Sequence, residues 1–154
     1  MSVRTETQWL TPRQQQIWRA YVLGSARLNQ WLDAQLRPHD LDLAEYEILV
    51  QLEEAPDRRL RMSDLATSVQ QSRSRLTHTV TRMEQRGLVA RSTCPDDRRG
   101  VWAELTDDGY QLLRIAAPDH VDSVRDGLVG LASDADFEAL GRVFDAVITK
   151  VDNT

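Results

Sequence analysis

Apolar residues recur along most of the chain at steps of three and four, the spacing that lines one face of a helix at about 3.6 residues per turn. Thr11-Pro12-Arg13-Gln14 opens the first such run. Thr11 is a cap, Pro12 sits at the first helical position and Gln14 completes a capping box. Ile17, Trp18, Tyr21, Val22, Leu28, Leu32 and Leu36 then form one stripe through to Arg37, and Pro38 ends it. A stripe this broad on a helix this long predicts burial against a partner chain. Leu43 to Leu52 is a second helix with Tyr46, Leu49 and Leu52 inward, and Leu60-Arg61-Met62 is a short strand. Ser63 is predicted to cap a helix from Asp64 to about Val69, and Gln70-Gln71 makes the turn that follows it. Ser72 caps the next helix, Arg73 to Arg86, whose inner stripe is Leu76, Val80 and Met83, and Gly87 closes it in the left-handed conformation. Leu88 to Cys94 and Val101 to Leu105 read as strands around a turn from Pro95 to Gly100. Thr106 caps a long helix with Asp107 and Asp108 at its positive end, and Pro118 is predicted to kink or interrupt it. Ser133 caps a last helix striped by Phe137, Leu140, Phe144, Val147 and Val151. Met1 to Trp9 shows no period and reads as a partly ordered arm.

The outer face of the 73–86 helix has unusual chemistry. Ser74, Arg75, Thr77, His78, Thr81, Arg82 and Gln85 lie opposite the apolar stripe, with no carboxylate and no large apolar side chain among them. Hydroxyls, guanidiniums, an imidazole and an amide suit phosphate oxygens and base edges. An ordinary solvated helix face fits that helix equally well when it is taken alone. The continuation decides between them. A helix followed by a hairpin with two arginines at its tip is a winged helix-turn-helix, whose helix enters a major groove while the tip reaches the flanking minor groove.

The residues from Glu84 onward carry a resemblance. Glu84-x-x-Gly87-Leu88-Val89-x-Arg91, then Asp97-Arg98-Arg99, then Leu105-Thr106-x-x-Gly109 resembles the signature of the MarR family of bacterial transcriptional regulators. Leu65-Ala66 and Leu76-Thr77 fit the same pattern. The resemblance covers the whole chain and implies a mainly α fold with a small β-hairpin wing. Residues 1–154 would form a single domain of this type, with a winged helix-turn-helix over 43–105 flanked by dimerisation helices over 11–37 and 106–151. It implies a homodimer that binds double-stranded DNA at a pseudo-palindromic operator, acting as a repressor, and released by a small aromatic or anionic effector.

Composition sharpens this picture. The net charge of −5 argues at first against a polyanionic partner, but its distribution reverses the argument. Between Arg58 and Arg99 ten arginines face four carboxylates, a net of +6, while the rest of the chain carries −11. Lys150 is the only lysine. No apolar run is long enough for a membrane span, no basic-then-apolar leader opens the chain, and a cytoplasmic protein is expected. The single cysteine excludes an internal disulfide and a cysteine-based metal cage, and no metal site or cofactor is expected.

Arg99 is the leading DNA-binding candidate. The turn chemistry puts it at a hairpin tip, and the resemblance implies a minor-groove arginine there. Asp97 reads as structural, a carboxylate that pairs with an arginine and holds the loop. Arg98 contacts phosphate or solvent. Ser74, Thr77 and His78 are nearest the helix half that reaches base edges, against the alternative of phosphate contacts or none. Arg75 and Arg82 read as phosphate-positioning residues, with Thr81 beside them and Arg73 a weaker candidate. Ser63 and Ser72 are helix caps first and phosphate contacts second. Cys94 is expected to be an inert thiol, since the resemblance implies a sensing cysteine only in the first helix, which has none. Trp18, Tyr21, Trp31 and Tyr46, with Arg19 or His39 as counter-charge, are candidates for an effector pocket, although core and interface packing explains each aromatic singly. No phosphate-binding glycine loop, nucleophile elbow or paired catalytic motif is present, so no enzymatic activity is expected. Two other classes remain open: a winged-helix module that binds an acidic protein, and an enzyme turning over a small aromatic compound in the dimer cleft.

Overall fold

The structure, a computed structural model, describes residues 6–154, without the side chain of Arg98; the first five residues of the expected N-terminal arm lie outside the described residues. Residues 6–10 are exposed and without regular structure. The elements in chain order are α1 (Pro12–Leu36), α2 (Leu43–Glu54), β1 (Arg59–Arg61), α3 (Met62–Ser68), α4 (Arg73–Gln85), β2 (Val89–Cys94), β3 (Asp97–Leu105), α5 (Asp107–Gly127) and α6 (Asp134–Asp152). The fold is a winged helix-turn-helix, mainly α, with a three-stranded antiparallel sheet in the order β1-β3-β2. It is flanked by long terminal helices.

Local chemistry sets the helix starts. The Thr11 hydroxyl accepts the Gln14 N–H, and the Gln14 side chain accepts the Thr11 N–H. Asp42 and Glu45 make the same reciprocal box at the start of α2. Ser72, Thr106 and Ser133 each accept an N–H three residues on. These caps satisfy donors that a helix leaves unpaired at its first turn. At the end of α4, Gly87 adopts φ +73°, and the Leu88 N–H reaches back to the Met83 carbonyl.

Ser63 is not the cap predicted for it. β1 runs directly into α3, Arg61 holds the flanking extended position, and Ser63 lies inside the first turn. Pro118 does not interrupt α5, which continues through it for 21 residues. Leu113, Ala116 and Ser123 are buried on either side, so packing holds the axis across the missing donor. Arg114, whose carbonyl loses that donor, and Pro118 both lie on the exposed side of the helix. The turn between the wing strands is shorter than 95–100. Cys94 pairs with Asp97, leaving Pro95-Asp96 as the turn and extending β3 back through Arg99, with a register shift at Thr93/Cys94.

A single core gathers Leu36 and Leu41, Ile48, Leu49 and Leu52 of α2, Leu65 of α3, Leu76, Val80 and Met83 of α4, and Val89, Ala103 and Leu105 of the sheet. Gly109 lets α5 approach this core. A Cβ there would collide with the Leu88 backbone carbonyl and lie 2.8 Å from a Leu105 methyl. The Thr106 hydroxyl donates to the Gly87 carbonyl at 2.6 Å, which ties the end of α4 to the start of α5. The first half of α1 and all of α6 take no part in the core. Ile17, Trp18, Tyr21 and Val22, and Val143, Val147, Ile148 and Val151, remain exposed.

Candidate nucleic-acid interface

Helix α4 is amphipathic, and burial of Leu76, Thr79, Val80 and Met83 fixes which face it turns outward. Arg73, Ser74, Arg75, Thr77, His78 and Arg82 are exposed, and Thr81 is half-buried. The threonine hydroxyls are tethered along the helix: Thr77 donates to the Arg73 carbonyl and Thr81 to the Thr77 carbonyl, both at 2.8 Å. Tethered hydroxyls keep free lone pairs and offer a fixed surface. Among the described residues no carboxylate lies within ion-pair distance of Arg73, Arg75 or Arg99, so these guanidiniums are free for an external anion.

Arg82 is placed differently. Its guanidinium lies 3.7 Å from Asp42 and 3.9 Å from Glu45, and Arg86 lies 3.5 Å from the other Glu45 oxygen. Glu45 is buried, so this cluster fastens α4 to the N-terminus of α2. The Glu84 carboxylate accepts the Arg91 N–H at 2.9 Å and its guanidinium at 3.1 Å, which fastens α4 to the wing and holds Glu84 below the ordinary carboxylate range. The Arg91 guanidinium also donates to the Thr81 hydroxyl.

At the wing, one Asp97 oxygen accepts the Arg99 N–H at 3.0 Å, and the other lies 3.7 Å from Arg61. Arg99 is exposed, in β3 and three residues past the turn rather than at its tip. Between α4 and the wing lies a cleft of about 440 Å³ lined by Arg61, Ser63, Arg73, Thr77, Asp97 and Arg99. Ser72 lies on the other side of α4, beside Arg75, His78 and Arg82. The structure thus places Ser63, Arg73, Thr77 and Arg99 around one cleft, and Ser72, Ser74, Arg75, His78 and Arg82 around a second on the other side of α4. Arg98 contributes backbone to β3, and its side chain lies outside the described residues. Arg61, a strand residue without a motif around it, was not singled out by sequence. Its signal is position, immediately before the first helix of the helix-turn-helix.

The candidate effector residues do not come together. Trp18 and Tyr21 lie 5.5 Å apart, and Tyr21 meets Phe144 of α6 at 5.7 Å, on an exposed terminal-helix face; Arg19 is exposed on the same helix. Trp31 sits against Gly127, and His39 pairs with Asp119 at 2.8 Å. Tyr46 lines a cavity of about 470 Å³ with Asn29, Leu32, Glu47, Gln51 and His120. There the Tyr46 and His120 rings lie 4.2 Å apart. Burial pushes the His120 imidazole down and the Glu47 carboxyl up from their ordinary values. Sequence reasoning missed His120 because no motif surrounds it and its partner in space is 74 residues away in the chain. Cys94 is buried against Gly100, where an added Cβ would lie 2.8 Å from its sulfur.

Comparison with known proteins agrees with this architecture. The MarR family model matches residues 41–101. AbsC, a MarR family transcriptional regulator from Streptomyces coelicolor, is 40% identical, with 96% of this chain and all of that one covered, at a TM-score of 0.91. The chain belongs to the MarR family of transcriptional regulators. A second MarR family regulator from S. coelicolor, solved in complex with DNA, is 42% identical over 93% of this chain and 90% of its own, at a TM-score of 0.89. The HTH-type transcriptional regulator MhqR of Bacillus subtilis (strain 168) is 26% identical over 111 residues, 72% of this chain and 74% of MhqR. The MarR signature acquires a physical meaning here. Glu84 and Arg91 join the helix to the wing, Gly87 ends the helix, and Gly109 admits the next helix against the Leu88 backbone. Among the described residues no helix is long and apolar enough to cross a membrane.

Proposed function

We propose that this MarR family regulator binds double-stranded DNA as a homodimer and represses transcription from a pseudo-palindromic operator. The observation that carries the reading is the face of α4. It presents unpaired arginines, fixed hydroxyls and an imidazole with no carboxylate between them, and the wing sets Arg99 beside it. A S. coelicolor relative that is 42% identical was solved with DNA. Two copies of α4 must lie about 34–36 Å apart to enter successive major grooves, which requires a two-fold partner. The exposed apolar faces of α1 and α6, joined by the Tyr21–Phe144 contact, supply the surface for that partner. Obligate homodimers bury about 2,000 Å² or more of such surface.

Release by an effector belongs to the same reading. The cavity beside Tyr46 and His120 is the best place for it, at the junction of α1, α2 and α5. Glu47 is the one charged side chain in its lining once burial keeps His120 neutral, so a neutral or cationic aromatic fits it better than a carboxylate. The effector would act by favouring a dimer with the wrong half-site separation.

The test is selection of duplexes from a random-sequence library by the purified protein, followed by binding across a salt series with Arg99→Ala alongside. Enrichment of a two-fold sequence, a salt slope of several phosphates and a loss of about tenfold or more in the variant are expected. Binding that is indifferent to sequence and to Arg99 would refute it and favour the protein-interaction module.

A further inference from the structure

The cleft between α4 and the wing has a consequence for which residues meet DNA. An element in a major groove and a neighbour in the adjacent minor groove necessarily straddle the sugar-phosphate strand that separates the two grooves. The walls of that cleft are Arg61, Ser63, Arg73, Thr77, Asp97 and Arg99. We propose that this cleft saddles one backbone phosphate and that Arg61, from β1, is its principal ligand. The proposal rests on the DNA-binding reading.

Three observations converge on Arg61. Its guanidinium is about half-exposed and has only a loose partner, Asp97 at 3.7 Å, so most of its donors are open. Its ring-side surface lies 5.6 Å from the Trp102 ring, with Arg59 on the same ring at 4.7 Å, which limits the directions the side chain takes. The opposite wall is α4, where Arg73 and Thr77 face the same space. Asp97 is the one carboxylate in the cleft. It is needed to hold the Arg99 N–H, and it would repel the phosphate if left unbalanced. Arg61 therefore both neutralises Asp97 and reaches the phosphate, contributing affinity without reading sequence.

These two roles separate experimentally. With the duplex selected by the wild-type protein, Arg61→Gln should bind about tenfold more weakly at moderate salt, with the salt slope reduced by about 0.9 and sequence preference unchanged. A methylphosphonate placed at each backbone position in turn should locate one phosphate between the grooves whose neutralisation weakens wild-type binding but leaves Arg61→Gln indifferent. In the Asp97→Asn background the Arg61→Gln loss should persist. Equal sensitivity of both proteins to every methylphosphonate, or disappearance of the loss once Asp97 is neutral, would overturn the proposal and leave Arg61 as a counter-charge only. Should Arg61→Gln fail to fold in a circular-dichroism melt, Arg61→Ala in the Asp97→Asn background carries the same methylphosphonate comparison. If wild-type protein selects no duplex, the DNA reading itself has failed, and this result differs from both others.

Discussion

Glu45 offers the sharpest test of how the DNA-facing helix is anchored. Its carboxylate is buried, accepts the Asp42 N–H at the start of α2, and faces Arg82 at 3.9 Å and Arg86 at 3.5 Å. At an effective dielectric near 20, each separation corresponds to roughly 4–5 kcal/mol of gross attraction. Desolvation of the carboxylate offsets much of this, and the two arginines, 56% and 35% exposed, are themselves screened by water. Removing one partner of a fully buried pair costs about 3–5 kcal/mol, and an exposed pair contributes about 0–1 kcal/mol. Glu45→Gln lies between these limits, at about 2 kcal/mol. The amide keeps an acceptor for the Asp42 N–H but turns a donor toward the two guanidiniums. Glu45→Ala also loses half of the capping box and should cost about 0.5–1 kcal/mol more. Urea denaturation at one protein concentration reads both variants. With a slope of about 2 kcal/mol per molar, the Glu45→Gln midpoint should fall by about 1 M with the slope unchanged. A shift below about 0.3 M would refute the reasoning, because the cluster would then contribute no more than a surface pair.

Two further predictions follow from the same geometry. Gly109→Ala should destabilise by about 3 kcal/mol or more, since its Cβ meets the Leu88 carbonyl, a backbone atom that cannot rotate away; a thermal melt within a few degrees of wild type would contradict the close approach. Burial lowers the His120 pKa from its ordinary 6.5, so the unfolded chain binds the proton at higher pH than the folded one. The corresponding stability is complete above about pH 6.5 and declines as pH falls, until folded His120 also protonates. His120→Phe, which can still stack on Tyr46, should flatten the melting temperature between pH 5 and 7, and an unchanged pH dependence would exclude His120 as the source.

What was legible in the sequence is what depends on neighbours along the chain. Caps at Thr11, Ser72, Thr106 and Ser133 and the left-handed Gly87 each involve partners within about four residues, so local chemistry determines them. The inner stripe of α4 follows from period alone, and with it the outward face that holds Arg75, Thr77 and His78. The errors occur where tertiary packing overrides a local preference. Pro118 disfavours a helix by itself, yet the burial of Leu113, Ala116 and Ser123 carries α5 through it. Ser63 has the chemistry of a cap, but a strand paired from Arg59 to Arg61 delivers the chain to the helix two residues earlier. The candidate effector residues lie apart for a different reason. Trp18, Tyr21 and Trp31 share a helix with one another but not a cavity with Tyr46, because α1 extends about 37 Å at about 1.5 Å per residue, and its first half projects beyond the winged domain. Aromatic content could not distinguish a pocket from an uncovered face; the exposure of Ile17, Trp18 and Tyr21 places them on an uncovered face, the one proposed above for a second subunit.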